Sequence, residues 1–494
     1  MPMKRLLYGL LAAAMLAPAW GAQAARPKKG NEYVVLVSGA AAGDAAWNAV
    51  AEALAAKHKA VVYVFEKAPR EALEKLRADR PRYVAIVETP ENLDRDYIID
   101  AHRLSREIDG DIYADYLWGV ISGYDAASAM RMVDNSTEPL VIKDAVATIM
   151  ETNSAKWFDR YGYVDDHTAG LWGEKKGPGQ PVVNGNIDRK EVLRKFTDLY
   201  AQYDPDLVLT AAHATQKNLE MPFSLGNLRP RDGKLYADDH FAKEQWDLRE
   251  SGKRKVYFAI GNCLIGDFDG TRESMAPAWI NGHNAAVMSG YVVTTWHGRN
   301  GWGGLKYWLT TPGRYTLSEA VYLNQQDLVH QLNEWAPDVI REPFDYDNNY
   351  FGGQSEMTKK LAAAVGGNPT KDQLGFWHDR DVLAYYGDPK WNVRLQEIPE
   401  ENDFTVTSKV KGRQVTITIE TKPNFDLKRM AGDNFKEEHV LDIPFSYFFP
   451  ERLDNPRLAA GQPWNAAVAE DFLLIYDPGF EPGKKYTVVL DIDK

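Results

Sequence analysis

The sequence predicts an α/β protein with a parallel sheet, followed by a C-terminal β-sandwich that is Ig-like. Continuous apolar runs, which are typical of buried parallel strands, alternate with helical segments over most of the chain. From about residue 402 the pattern changes to short runs of alternating apolar and polar residues between Pro and Gly turns. The length of 494 residues is enough for about three domains.

The first α/β block is predicted for residues 25–180. Apolar runs and helical segments alternate in it, at residues 33–37, 44–57, 60–65, 69–78 and 83–87. Strand–helix–strand alternation at this spacing predicts parallel strands with helices on the faces of the sheet. Residues 155–187 are rich in Gly, Trp and charge, and we expect them to form a long surface excursion.

The second α/β block is predicted for residues 181–398, and the sandwich for residues 399–494. Strands are expected at residues 206–210, 255–260 and 285–295, and helices at residues 189–203, 274–281 and 316–335. In the last part, residues 415–420 and 486–492 show the period of two that half-buried strands require.

Residues 1–24 have the pattern of a cleaved secretory signal. Lys4 and Arg5 precede an apolar run at residues 6–16, and Ala22-Gln23-Ala24 fits a small-x-small cleavage site. A membrane anchor is the alternative, but the run is too short to span a bilayer comfortably. We therefore expect export to the periplasm or the extracellular space, without a membrane span. The net charge of −12 argues against a nucleic-acid partner bound through a basic field.

Two predicted strands each end in a reactive side chain. One strand leads into His213 and the other into Cys263, which is the one cysteine of the chain. Ligands of open parallel sheets bind at the carboxyl edge of the strands, and neighbouring strands would place these two side chains side by side there. An imidazole beside a thiol can accept its proton and create a nucleophile. The alternative is that His213 caps a strand and Cys263 packs inertly in a core.

The sequence resembles the gingipain family of cysteine peptidases over about residues 31–398. Four stretches carry the resemblance: Cys263-Leu-Ile-Gly-Asp-Phe-Asp269, Glu273-Ser-Met-Ala-Pro-Ala-Trp279, Tyr386-Gly-Asp-Pro389 and the segment from Asp109-Gly-Asp111 to Met132. Residues 285–295 are similar to the strand that follows the nucleophile, and the β-rich end also fits the order of the family. The resemblance implies a caspase-like α/β catalytic unit.

The resemblance also implies roles for individual residues. Cys263 would be the nucleophile and His213 the general base and acid of an exported endopeptidase that acts on polypeptides. The backbone N–H groups of Cys263 and Ala214 would form the oxyanion hole. Two positions depart from the family: its Gly after the His is Ala214, and its Gly-Arg is Gly119-Val120. They motivate the alternative of an inactive relative that serves as a binding or secretion-accessory protein.

A second histidine competes for the role of base. Trp296-His297-Gly298 contains a literal His-Gly pair, but the catalytic His of this family precedes the Cys, which favours His213. Trp296 and His297 are instead predicted to form a wall of the substrate pocket.

No cofactor is expected from the sequence. Two acidic loops, Asp345-Tyr-Asp347-Asn-Asn349 and Asp165-Asp166-His167, carry oxygen ligands that suit calcium as a structural ion. Neither has EF-hand spacing, and solvated loops are the simpler interpretation. No Cys/His cluster in the sequence predicts zinc, so no catalytic metal is assigned.

Overall fold

The computed structural model describes residues 30–149, 158–223, 226–310, 312–348, 355–397, 403–432 and 442–493. The predicted signal at residues 1–24 lies outside these residues, as does Asn349 of the acidic loop. Among the described helices, none has both the length and the apolar character needed to cross a membrane.

The first part of the chain alternates strands and helices, as predicted. Its strands are β1 (Tyr33–Ser38), β2 (Val61–Phe65), β3 (Tyr83–Val87), β4 (Leu117–Ile121), β5 (Leu140–Val141), β6 (Asp144–Ala147), β7 (Arg160–Val164), β8 (Leu171–Lys175) and β9 (Val183–Asn186). Its helices are α1 (Gly39–Gly43), α2 (Ala45–His58), α3 (Leu73–Asp79), α4 (Arg95–Leu104) and α5 (Ala126–Asn135).

The middle part carries the two strand ends singled out above. Its strands are β10 (Leu207–Thr210), β11 (Ala214–Thr215), β12 (Asn218–Glu220), β13 (Asn227–Arg231), β14 (Lys234–Asp239), β15 (Glu244–Asp247), β16 (Lys255–Ala259), β17 (Ala285–Tyr291), β18 (Leu383–Gly387) and β19 (Val393–Arg394). Its helices are α6 (Val192–Tyr203), α7 (Met275–Gly282), α8 (Arg299–Thr310), α9 (Leu317–Trp335), α10 (Glu356–Val365) and α11 (Lys371–Asp379).

The last part is almost entirely β. Its strands are β20 (Phe404–Lys411), β21 (Gln414–Thr421), β22 (Phe445–Phe448), β23 (Arg457–Leu458), β24 (Asn465–Ala469), β25 (Phe472–Tyr476) and β26 (Lys485–Asp491), with one short helix, α12 (Leu427–Met430).

Both predicted α/β blocks contribute to a single sheet of 12 strands. The strand order is β2-β1-β3-β4-β18-β17-β16-β10-β6-β7-β8-β9. Most neighbours are parallel, whereas β17–β18, β7–β8 and β8–β9 are antiparallel. The first block joins the second where β4 pairs with β18, Val120 being opposite Tyr386, and again where β6 pairs with β10, Ala145 being opposite Leu207. The central strands are buried on both faces, which explains their continuous apolar sequences.

Residues 155–187 do not form the surface excursion that the sequence predicted. Within them, β7, β8 and β9 extend the large sheet by three strands. Tyr161 and Tyr163 are buried, and they stack with ring centroids 5.7 Å apart. Gly162 and Gly173 interrupt the apolar pattern because side chains of neighbouring residues occupy the space that a Cβ would need. The strands were therefore not recognisable as apolar runs.

A five-stranded antiparallel sheet, β11 to β15, is inserted between β10 and β16. It begins directly after His213, so the chain leaves the large sheet at that residue and returns to it at β16. The predicted strand at residues 285–295 is shorter in the structure, because β17 ends at Tyr291. The residues that follow it form the loop described below.

The C-terminal strands form two antiparallel sheets, β20-β21-β26-β23 and β22-β25-β24. Ile417, Ile419 and Val488 of the first sheet share one apolar core with Leu473 and Ile475 of the second. Two sheets that bury their inner faces against each other are the arrangement of a β-sandwich. The predicted fold class, α/β followed by a β-rich end, is confirmed, while the domain boundaries remain predictions.

Candidate active site

The two predicted site residues follow strands that are direct neighbours. Strands β10 and β16 are parallel, with Thr210 opposite Ala259, so the main chain leaves the sheet at the same edge after each strand. The amide of Ile260 continues the ladder by donating to the carbonyl of Thr210 at 2.9 Å. His213 lies three residues beyond the end of β10, and Cys263 lies four residues beyond the end of β16. The structure thus brings the two loops together at the carboxyl edge of the sheet.

Asn262 links these two loops through its side chain. It is fully buried, and its Nδ2 donates to the carbonyl of Ala212 at 2.7 Å. Its Oδ1 accepts from the hydroxyl of Thr210 at 2.7 Å. Asn262, the residue before Cys263, is therefore hydrogen-bonded to Ala212, the residue before His213. Sequence reasoning missed Asn262, although a polar residue at the end of an otherwise apolar strand was a usable signal.

Cys263 is half-buried, and its sulfur contacts Thr295 in the loop after β17. The amide of Thr295 donates to Sγ at 3.2 Å, and Sγ lies 3.7 Å from the carbonyl oxygen of the same residue. Burial raises the pKa of the thiol above its ordinary value, whereas hydrogen bonds from Thr295 act in the opposite direction.

His213 is exposed at the start of the inserted sheet. Its carbonyl accepts from the amide of Glu220 at 2.8 Å, which fixes the main chain at this position. Ala214 follows in β11, opposite Leu219. An extended strand residue places no demand for glycine on this position, so the departure from the family at Ala214 introduces no backbone strain here. Val120, the other departure, is a fully buried core residue of β4.

The chain turns sharply immediately after Cys263. Leu264 has a left-handed φ of +57°, a conformation that is uncommon for a non-glycine residue. Its amide donates to the carbonyl of Val293, and the amide of Gly266 donates to the carbonyl of Tyr291, both at 2.9 Å. A Cβ on Gly266 would lie 2.2 Å from the carbonyl oxygen of Gly290. These contacts hold the loop that carries Cys263 close to the end of β17.

An open pocket of about 440 Å³ lies beside this turn. The lining residues come from distant parts of the chain: Arg95, Leu264, Val293, Thr294, Phe344, Tyr346 and His378. Leu264 places the pocket next to the thiol loop. Sequence reasoning missed all of these residues, because no local pattern connects them.

A buried hydrogen-bond network holds His378 in the pocket wall. Its Nδ1 lies 3.0 Å from Oδ1 of Asp379. The other carboxylate oxygen of Asp379 accepts from the hydroxyl of Tyr291 at 3.0 Å and from the amide of Asn300 at 3.1 Å. Burial alone would raise the pKa of Asp379, but the hydrogen bond and charge of His378 hold it below its ordinary value.

Trp296 and His297 occupy different environments near this pocket. The Trp296 ring packs edge-on against His378, with centroids 6.2 Å apart. His297 is only 2% exposed, and its Nε2 lies 2.9 Å from a carboxylate oxygen of Asp372. A Cβ on Gly375 would approach the His297 ring to 2.2 Å, so α11 requires glycine there. Their assignment as walls of the substrate pocket stays a prediction.

The acidic loops proposed for calcium make internal contacts. Asp347 pairs with Arg95, Nη1 to Oδ1 being 2.6 Å, and Asp345 accepts from the amides of Asp347 and Asn348. Asp165 accepts from the amide of Thr168 at 2.8 Å. A different group, Asp109, Asp111 and Glu470, brings three carboxylates within 4.8 Å of one another. Calcium as a structural ion stays a prediction.

The chain is therefore an α/β protein with a thiol at the carboxyl edge of its large sheet. No family model matches the chain, and no curated protein matches it. Among solved structures it is similar to the Arg-specific cysteine proteinase gingipain R (RgpB), with 10% identity, a TM-score of 0.40 and coverage of 94% of this chain and 92% of the other.

Two further solved structures are similar. One is the complex of the RgpB pro- and mature domains from Porphyromonas gingivalis, with 10% identity, a TM-score of 0.41 and coverage of 94% of this chain and 93% of the other. The other is described only as a protease, with 12% identity, a TM-score of 0.38 and coverage of 79% and 84%. Gingipain R belongs to the family that the sequence resembles. At these scores the likeness is distant, and the roles below are argued from residues of this chain.

Proposed function

We propose that the chain is an exported cysteine endopeptidase in which His213 and Cys263 act as a catalytic dyad. The observation that carries the proposal is the Asn262 link, because it ties the main chain before the thiol to the main chain before the imidazole. Because the buried Asn262 side chain is hydrogen-bonded to the loop before His213, it fixes the distance between the two loops. Such preorganisation is what a nucleophile and its base require.

The raised pKa of Cys263 favours general-base catalysis over a preformed ion pair. In this scheme the imidazole of His213 takes the thiol proton while the sulfur attacks the substrate carbonyl. The C–S bond forms, and the carbonyl π electrons move to oxygen, where the amides of Cys263 and Ala214 stabilise the oxyanion. Collapse of this intermediate breaks the C–N bond, and His213 returns the proton to the leaving amine. Water then hydrolyses the acyl-enzyme.

The pocket beside Leu264 is the proposed binding place for a substrate side chain. It adjoins the residue after the nucleophile, and the rings of Phe344, Tyr346 and His378 form part of its lining. Arg95 at the same pocket is already paired with Asp347 and Asp96. Paired charges at one rim and rings along the walls suit a side chain with a substantial apolar part.

The test is cleavage of a peptide library by wild type, Cys263→Ala and His213→Ala. We expect both variants to lose activity by at least about a thousandfold. His167→Ala is the matched control, because His167 is an exposed histidine in the β7–β8 turn, and it should cleave like wild type. Equal cleavage by wild type, Cys263→Ala and His213→Ala would refute the proposal.

The second candidate function is an inactive relative that binds a partner or assists secretion. The half-buried thiol with its raised pKa and its hydrogen bonds to Thr295 favours this alternative. A mild electrophilic thiol probe at neutral pH separates the two functions. Labelling of Cys263 that depends on His213 supports the peptidase, and resistance of Cys263 in folded protein supports the binding protein.

A further inference from the structure

A second cavity lies where the large α/β sheet meets the C-terminal β region. Its volume is about 710 Å³, including space that is open to solvent. Arg82 and Tyr83 line it from the start of β3, Arg314, Tyr315 and Glu319 from the segment that begins α9, Arg394 from β19, and residues 447–450 from β22 and the turn after it. None of these residues belongs to the proposed catalytic site.

Positive charge exceeds negative charge in this cavity, because three guanidinium groups face one carboxylate. Two of the guanidiniums form ion pairs within the protein. Nε of Arg82 lies 3.0 Å from a carboxylate oxygen of Asp471. Arg394 donates to the carbonyl of Arg314 at 2.7 Å, and one of its nitrogens lies 3.5 Å from Glu319.

Arg314 is the exception. Its side chain is partly buried, and its Nε is buried without a hydrogen-bond partner. Across the part of the chain that the structure describes, no carboxylate pairs with it. The one carboxylate of the cavity, Glu319, is already hydrogen-bonded to the amide of Thr316 at 2.7 Å. A buried nitrogen without a hydrogen-bond partner points to a missing partner.

The rest of the lining is aromatic. Outside this lining, the guanidinium carbon of Arg314 lies 4.4 Å from the centre of the Phe404 ring, which covers one face of the guanidinium. Tyr83, Tyr315, Tyr447 and two phenylalanines complete the walls. A planar guanidinium matches the two oxygens of a carboxylate, and rings around it favour an apolar body over a fully hydrated inorganic anion.

We propose that this cavity binds a small organic carboxylate with an aromatic or branched apolar group, held by Arg314. The chemistry is shared by a free aromatic acid and by the carboxyl-terminal residue of a peptide. The inference does not depend on the peptidase proposal, and the experiments below use the Cys263→Ala chain so that no turnover can occur.

The first experiment measures calorimetric binding of N-acetylphenylalanine and of its carboxamide, which differ only in the charged group. The carboxylate should bind about tenfold to a hundredfold more tightly, the range for a charge-assisted hydrogen-bonded contact. The peptide Gly-Gly-Phe with a free or an amidated terminus forms the second pair and distinguishes a peptide end from a free acid. Inorganic phosphate is the third arm. Equal binding of acid and amide, or displacement of the acid by an equal concentration of phosphate, would overturn the proposal.

The second experiment substitutes Arg314. Arg314→Met should weaken binding of the acid by about tenfold or more, and Arg314→Lys should fall between wild type and Met because it keeps the charge but loses the planar fork. Arg413→Met, in the exposed β20–β21 turn, is the matched control and should bind normally. Unchanged binding of the acid in Arg314→Met would contradict the assignment. The acid–amide comparison on unsubstituted Arg314 decides the proposal even if the Met variant does not fold.

Discussion

Replacing Asn262 with alanine tests the link between the two catalytic loops. The side chain is fully buried, and its amide makes two hydrogen bonds of 2.7 Å, to Ala212 and Thr210. In Asn262→Ala the carbonyl of Ala212 loses this partner, while the hydroxyl of Thr210 keeps a contact with the hydroxyl of Tyr257 at 2.9 Å. An unsatisfied buried group costs about 1–3 kcal/mol, so we expect a loss of about 1–3 kcal/mol in the free energy of unfolding. A domain of ordinary stability survives that loss.

The effect on activity should exceed the effect on folding. Without Asn262, nothing described here ties Ala212 to the thiol loop, and a displacement of about 1 Å between reacting groups lowers rates by about a hundredfold. We therefore expect kcat/KM for peptide cleavage to fall about a hundredfold in protein that is fully folded at the assay temperature. Urea denaturation gives the stability, and peptide cleavage gives the rate.

Asn262→Asp and Asn48→Ala are the comparisons for this experiment. Asn262→Asp keeps the acceptor for Thr210 but removes the donor to Ala212 and buries a charge, so it should be at least as damaging as the alanine variant. Asn48 is partly exposed on α2, far along the chain from both catalytic loops, and its replacement should leave both readouts unchanged. An Asn262→Ala protein with stability within about 0.5 kcal/mol of wild type and an unchanged cleavage rate would refute the reasoning.

Three further predictions concern stability. Burial tends to raise the pKa of Asp388, but hydrogen bonding to His58 and the charge of Lys57 lower it to about 2. About 2 kcal/mol of stability should therefore be present above pH 4 and be lost as the pH falls towards 2. In a series of urea midpoints measured against pH, Asp388→Asn should flatten this region. Burial lowers the pKa of His283 to about 3, so the unfolded chain binds about one more proton between pH 6 and 4, and stability should fall over that interval less steeply in His283→Gln. Gly375→Ala should lower the free energy of unfolding by about 1–3 kcal/mol, because its Cβ would meet the His297 ring at 2.2 Å; thermal denaturation that matches wild type would contradict this packing.

The parts of the fold that the sequence predicted are those in which strands are buried on both faces. Strands β1, β3 and β16 are continuous apolar runs because helices or loops cover both sides of the sheet, and such runs are visible without any knowledge of pairing. Helix α9 was similarly visible, and Thr316 provides the capping box that starts it. These signals are local, so sequence reasoning finds them.

The parts that could not be predicted depend on long-range pairing. Strands β9, β11 and β15 are short and partly polar, because their faces are only partly covered. Strands β7 and β8 are mostly buried, but Gly162 and Gly173 interrupt their apolar pattern. The union of the two α/β blocks in one sheet rests on the pairings of β4 with β18 and of β6 with β10, and the first pair is separated by more than 260 residues. No periodicity within either strand contains that information.

The candidate site likewise has parts that local sequence signals predicted and parts that depend on long-range contacts. The edge position of His213 and Cys263 follows from strand order and could be predicted, given that β10 and β16 are neighbours. The pocket could not, because Arg95, Phe344 and His378 come from three separate segments and carry no shared motif. Thr295 was also missed as a partner of the thiol, since its role depends on where β17 ends.

The most direct test of the central claim is the rate at which a peptidyl ketone electrophile alkylates Cys263, measured by mass spectrometry of the peptide that contains this residue. If His213 activates Cys263, alkylation is rapid in wild type at neutral pH and slower by about a hundredfold or more in His213→Ala. His167→Ala should react like wild type. Equal rates in wild type and His213→Ala, or no adduct on Cys263 in folded protein, would contradict the claim that this imidazole activates this thiol.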